Sequence, residues 1–147
     1  EVETDEVIVD AMAALLVRHP ERYDVVCATN FHADILSDLA SELSGSLGLA
    51  GSVNAGDDLC CAQAQHGSAP DIAGQDRANP TSLILSAAML LDWIAEKRGL
   101  PAYGEAARAI DQVVDAALAA PESRTADLGG PLGTRAFAAE IAVALTR

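Results

Sequence analysis

Aromatic side chains are scarce, with two Phe, two Tyr and one Trp making up 3% of 147 residues. Apolar residues still form 50% of the chain, so a core must be packed from Ala, Leu, Val and Ile. Basic residues are also few, nine against 22 acidic ones, for a formal charge of −13. That balance argues against nucleic acid or an anionic membrane as partner. Cysteine is limited to Cys27, Cys60 and Cys61, an odd number without metal-type spacing. The expectation is three small buried hydrophobes in a reducing compartment. The longest apolar run, around 87–91, is interrupted too soon to span a bilayer. No basic-then-apolar leader opens the sequence, and no internal repeat or low-complexity tail appears, so a soluble, cytoplasmic protein is expected. The length suffices for one ordinary domain with a real core.

What is present centres on residues 30–38, Asn-Phe-His-Ala-Asp-Ile-Leu-Ser-Asp. As a helix, this stretch puts Asp34 and Asp38 one turn apart on one face. Two carboxylates so placed repel each other unless a cation lies between them, and hard ions such as Mg²⁺ favour carboxylate oxygens. Leu36, Leu39 and Ala40 can anchor the same helix in a core. Spacing alone favours an ordinary solvated acidic face.

The flanking segments have their own patterns. Glu1-Val2-Glu3 alternates and suggests a strand end. From about Glu6, the residues Val7, Ile8, Ala11, Met12, Leu15 and Leu16 recur at helical spacing until Pro20. Asp10, within that helix, has the pattern of a solvated side chain. Residues 24–28, Asp-Val-Val-Cys-Ala, suggest a buried strand feeding the acidic helix, an α/β arrangement that places ligands at carboxyl ends of strands. His32, in the turn between, is expected to pack. Gly45, Gly48, Gly51 and Gly56 mark a crossing between elements. Residues 52–55 and 59–64 then suggest two short strands around Gly56-Asp57-Asp58.

Residues 66–79 form a Gly/Pro-rich loop whose distinctive polar side chains are His66, Asp71 and Asn79. It lacks the Gly-x-Gly-x-x-Gly fingerprint, and its composition alone suits a connecting loop. Asn79-Pro80 should open a helix that Gly99 closes. Leu83, Ile84, Leu85, Ala88, Met89, Leu91, Trp93 and Ile94 cover nearly every face, which predicts a buried central helix. A second helix, about 102–120, opposes an apolar stripe (Tyr103, Ala107, Ile110, Val114, Ala117) to Glu105, Arg108, Asp111 and Asp115. Asp127 falls in a turn, as a structural residue. Thr134 should cap a last helix with Phe137, Ile141, Ala144 and Leu145 inward.

Three segments, in order, carry a resemblance. Residues 30–38, residues 45–49 (Gly-Ser-Leu-Gly-Leu) and residues 66–74 (His-Gly-Ser-Ala-Pro-Asp-Ile-Ala-Gly) together resemble the β-decarboxylating dehydrogenases: the isocitrate, isopropylmalate, homoisocitrate and tartrate/malate enzymes. The resemblance covers nearly all of this chain but only the carboxyl-terminal part of a family chain. With Glu rather than Met in first place, it implies a fragment. The implied fold is α/β, an isopropylmalate-dehydrogenase-like sheet with flanking helices, in partial form. Residues 1–44 would end the dimer-forming, metal-binding domain, and residues 45–147 would be the carboxyl-terminal half of the nucleotide-binding domain.

The resemblance also implies ligands. Asp34 and Asp38 would hold Mg or Mn, completed by Asp10 of another subunit, because Val9-Asp10-Ala11-Met12 resembles the segment bearing the family's third metal aspartate. That makes a homodimer the expected assembly. The loop would grip the adenosine half of NAD through His66, Gly67, Ser68, Ala69, Asp71, Ile72 and Asn79. In this scheme Gly67 gives a close backbone approach, Ile72 an apolar contact to adenine and Asn79 a polar contact to the base. NADP-using relatives tend to carry Lys-Tyr where this chain has Asp71-Ile72. A carboxylate there accepts from ribose hydroxyls and repels a 2′-phosphate, which implies NAD. One departure is Gln63-Ala64-Gln65, where many members have Glu-Pro-x before the His. It removes an acid expected near the nicotinamide and points to a less-studied branch of the family, with the substrate type (isopropylmalate, isocitrate or tartrate/malate) left open.

The implied activity is metal- and NAD-dependent oxidative decarboxylation of a 2-hydroxy di- or tricarboxylic acid. The family's catalytic Lys and Tyr and its substrate-clamping arginines lie upstream, so no catalytic residue is assigned here and this stretch alone is expected not to turn over. The alternative is a non-catalytic half-chain that dimerises with a complete homologue or binds nucleotide weakly.

Overall fold

The computed structural model describes residues 2–146. They fall into two compact units, Glu1–Ser44 and Gly45–Arg147.

In the first unit, α1 (Val9–Arg18) and α2 (Asn30–Ser44) pair through Met12, Leu16 and Leu36, with Val7, Ala13 and Tyr23 packed around them. Met12 and Leu16 are one turn apart, which turns the α1 stripe onto α2. The helix starts at Val9 rather than near Glu6, because Ile8 is extended (φ −68°, ψ 146°). It stops as expected before Pro20, which begins a 3₁₀ turn, Pro20–Arg22. Two strand expectations fail here. Residues 24–28 form no strand, and Val25 is 86% exposed. Residues 2–4 form none either, and Glu1 lies outside the described residues. The reason is shared: among the described residues of this unit no strand runs alongside to take the backbone hydrogen bonds, and β propensity alone does not hold a strand.

The second unit begins with a hairpin. Strands β1 (Gly51–Ala55) and β2 (Cys60–Ala64) pair antiparallel, Val53 opposite Ala62, and Gly56 N donates to Leu59 O at 2.8 Å across the turn. Three helices follow: α3 (Thr81–Arg98), α4 (Pro101–Ala119) and α5 (Thr134–Leu145). Gly99, in the left-handed region at φ 65°, closes α3. Val114 of α4 and Phe137 and Ile141 of α5 form the core, surrounded by Ile84, Leu85, Ile110 and Leu132.

Three expectations are corrected in this unit. Helix α3 is not buried all round: Leu83 is 57% exposed, and its fully buried residues are Thr81, Ser82 and Ser86. The hairpin presses so closely that a Cβ on Gly51 would lie 3.1 Å from Ser86 N, which leaves room only for small side chains. Those serines bond the strands instead. Ser86 Oγ accepts from Ser52 N (3.0 Å) and shares its proton between the carbonyls of Gln63 (2.6 Å) and Ser82 (2.7 Å). Ser82 Oγ accepts from Gln65 N (3.2 Å) and donates to Ala50 O. Secondly, Ala144 and Leu145 are exposed, because Phe137 and Ile141 already close the core. Thirdly, the cysteines are not buried hydrophobes. All are free; Cys27, in the unpaired segment, and Cys61 are exposed, while Cys60 is half-buried. No helix of the described residues is long and apolar enough to cross a membrane.

Candidate functional site

The loop joining β2 to α3 is shaped by backbone that few residues adopt. Ala69 (φ 40°), Gly74 (φ 74°) and Asp76 (φ 56°) are all left-handed, and a 3₁₀ turn, Pro70–Ile72, lies between the first two. Ile72 N donates to Ala69 O at 3.1 Å, and His66 Nδ1 lies 2.9 Å from Gly67 O. The loop thereby curls around a cavity of about 650 Å³ in the second unit. Of the residues expected at the cofactor, His66, Gly67, Ser68, Ala69, Ile72 and Asn79 line it. Asp71 does not. It stands exposed on the 3₁₀ turn, and its carbonyl accepts from Gln75 Nε2 at 2.7 Å.

Asn79 is 7% exposed and anchors the loop's end. Its Oδ1 accepts from Thr81 N at 3.0 Å, which caps α3 from one residue further out than expected. Its Nδ2 donates to Asp127 Oδ2 at 3.0 Å. The same carboxylate accepts from Ser46 Oγ (2.6 Å) and Thr125 Oγ1 (2.5 Å). Partial burial by itself would raise the Asp127 pKa. The hydrogen bonds from Ser46, Thr125, Asn79 and its own backbone amide outweigh that and hold it below the ordinary carboxylate value. Gly48 completes the wall: a Cβ there would lie 2.8 Å from the Asn79 Cβ.

Opposite Asn79, the loop is fastened to α5. Asp76 O accepts from Thr134 N (3.1 Å), and Asp76 Oδ1 accepts from Arg135 N (2.9 Å). Thr134 is therefore the first residue of α5 and not its cap; its hydroxyl donates to Ala78 O. Asp76, 59 residues before Arg135, takes the capping role. Sequence reasoning missed Ser46, Asp76, Arg77, Thr134 and Arg135, all of which line the cavity. A signal existed only for Asp76, since Asp tolerates the left-handed region better than most residues.

In the first unit, α2 carries Asp34 and Asp38 on one exposed face. Asp10 is exposed in the first turn of α1, where its Oδ1 accepts from Ala11 N at 2.7 Å. Within one chain, no three His, Cys, Asp or Glu residues of those described gather at a metal-sized site, so Asp10 does not join the pair there. His32 is exposed and not packed; its Nδ1 lies 3.2 Å from Thr29 Oγ1, and its ring meets Phe31 edge-on.

Comparison with known proteins gives a consistent picture. An isocitrate/homoisocitrate dehydrogenase of Thermus thermophilus is 49% identical over 98% of this chain and 41% of its own. The homoisocitrate dehydrogenase of Methanocaldococcus jannaschii is 47% identical over 95% of this chain and 38% of its own. The chain thus spans about two fifths of the length of such relatives. Among solved structures, isocitrate dehydrogenase from Methylococcus capsulatus superposes with a TM-score of 0.91 at 41% identity, over 99% of this chain and 42% of that one. The fold is thus a partial form of that α/β architecture. With the isocitrate/isopropylmalate dehydrogenase family matching residues 1–142, this chain belongs to that family.

Proposed function

We propose that this chain is the carboxyl-terminal part of a metal- and NAD-dependent enzyme that oxidatively decarboxylates a 2-hydroxy di- or tricarboxylic acid, working as a cytoplasmic homodimer. The observation that carries this is the cavity under residues 66–79, where six of the seven residues expected at the cofactor face one space. Relatives named isocitrate, homoisocitrate and 3-isopropylmalate dehydrogenases support the reaction class.

In this reading Gly45–Arg147 carries the adenosine half of the dinucleotide and Glu1–Ser44 carries the metal ligands. The cavity's chemistry suits an adenosine: Ile72 offers an apolar contact, Gly67 a bare backbone, and Asn79 an amide held rigid by two hydrogen bonds. Asp71 stands outside the lining, so its part in excluding a 2′-phosphate acts from the rim. The donor set on α2 suits a hard divalent cation, with two exposed carboxylates one turn apart. Asp10 of a partner copy supplies the third.

Held by Asp34, Asp38 and a partner copy's Asp10, a divalent metal would supply stabilisation of negative charge on the substrate's oxygens, and a dinucleotide in the cavity would supply the redox chemistry. The protein's share in this stretch is positioning. Asp34 and Asp38 hold their carboxylates on a helix anchored through Leu36, and the Asp127 network fixes Asn79. No proton-transfer residue is assigned here.

A mixing experiment tests the shared site. Asp10→Asn and Asp34→Asn/Asp38→Asn chains should each fail to take up Mn²⁺, while their equimolar mixture recovers uptake, because each mixed dimer holds one intact set. A mixture as inert as its parts contradicts the intersubunit site.

A further inference from the structure

We propose that Arg77 and Arg135 form an anion subsite in this cavity that takes a phosphate of the bound nucleotide, with Asp76 as the positioning residue that sets both arginines on one wall. The proposal rests on the nucleotide reading above and deepens it.

The chain has nine basic residues against 22 acidic ones, yet two of the nine line this one cavity. Among the described residues, neither guanidinium makes a hydrogen bond or ion pair; only the backbone amide of Arg135 is engaged. Among the described residues, Arg124 donates to the carbonyls of Leu118 and Ala119 and Arg98 to that of Asp58, while Arg18, Arg22 and Arg108 make no such bond either but line no part of this cavity. What sets Arg77 and Arg135 apart is their place in its wall. The carboxylates lining the cavity do have partners. Asp127 accepts from three side chains, and Asp76 from the amide of Arg135. What the wall still offers is therefore donors, in the forked geometry that matches phosphate oxygens.

The two arginines are brought to this wall by the loop's attachment to α5. Asp76 sits at φ 56° with its carbonyl on Thr134 N and its Oδ1 on Arg135 N. Thr134 Oγ1 donates to Ala78 O. Gly133 makes the approach possible, since a Cβ there would lie 2.6 Å from both Asp76 O and Oδ2. Residues 76–78 and 133–135 are thus one hydrogen-bonded patch, and both Arg77 and Arg135 belong to it.

The test is an NMR titration of the chain with adenosine, adenosine 5′-monophosphate and adenosine 2′-monophosphate at low salt. Adenosine 5′-monophosphate should bind about tenfold more tightly than adenosine, and Arg77→Ala or Arg135→Ala should remove that gain while leaving adenosine binding unchanged. A gain confined to the 2′-monophosphate would overturn the subsite as one for a phosphate of NAD. Arg108→Ala, an exposed arginine outside the cavity, controls for net charge and should change nothing. Asp76→Ala should also lose the gain, and Asp76→Asn, which keeps an acceptor oxygen, should restore it; if the Ala variant does not fold, the Asn variant together with the arginine variants decides. Adenosine binding without any phosphate gain, or a gain that survives both arginine substitutions, overturns the subsite and leaves the nucleotide reading standing. Failure of adenosine itself to bind overturns both.

Discussion

Asn79 and Asp127, 48 residues apart, are joined by a 3.0 Å hydrogen bond from amide to carboxylate. Through it, the end of the 66–79 loop and the start of α3 depend on a turn near the far end of the chain. Ser46, from the Gly45–Gly48 crossing, joins the same carboxylate at 2.6 Å. Three separate stretches are thereby fixed around one charge.

Removing that charge should loosen all three. Asp127→Ala leaves the buried Ser46, Asn79 and Thr125 with donors lacking their acceptor, at a cost of about 1–2 kcal/mol, the low end because the carboxylate is itself partly solvated. The pH dependence follows from the lowered pKa. A group whose folded-state pKa is depressed stabilises the fold above its unfolded value, about 4, and loses that contribution as pH falls through the folded one. Urea midpoints of the wild type should therefore drop below about pH 4, with a shallower drop in the variant.

Thr81 points the other way. Its hydroxyl is fully buried with no hydrogen-bond partner among the described residues. Thr81→Val removes an unsatisfied polar group at nearly constant shape, so it should raise stability by about 1 kcal/mol. An unchanged or lowered urea midpoint would refute this.

Asp111 provides a second pH signature of opposite sign. Its pKa is raised, first by partial burial and then by the charges of Asp115, one turn on, and Asp92 of α3. A raised folded-state pKa gives stability that is present below the unfolded value and lost as pH rises through the folded one. Asp111→Asn should therefore stabilise the chain at neutral pH by about 0.3 kcal/mol, the scale of one like-charge pair on a helix, and the gain should vanish below about pH 4.

Much of this was legible in the sequence, and the rest has identifiable physical reasons. The hairpin around Gly56-Asp57-Asp58 and the Gly99 terminus of α3 follow from local turn chemistry, which a sequence states directly. The loop residues facing the cavity were reachable because a contiguous motif carries them. Asp76 capping α5 and Ser46 meeting Asp127 were not, since both pairings join distant segments without a local pattern. The 24–28 segment misled because β propensity says nothing about whether a partner strand runs beside it. The apolar surround of α3 misled because the hairpin's close approach selects serine over leucine at the contact.

The central claim is that the cavity under residues 66–79 holds the adenosine half of NAD. Gly67 lines it, and a Cβ there would meet no atom within 4 Å, so Gly67→Val should fold normally while its side chain fills the ligand's approach. Calorimetric titration of NAD⁺ into the wild type should give saturable binding at one site per chain, and into Gly67→Val none, with equal thermal midpoints for the two. No binding to the wild type, or undiminished binding to Gly67→Val, would contradict it.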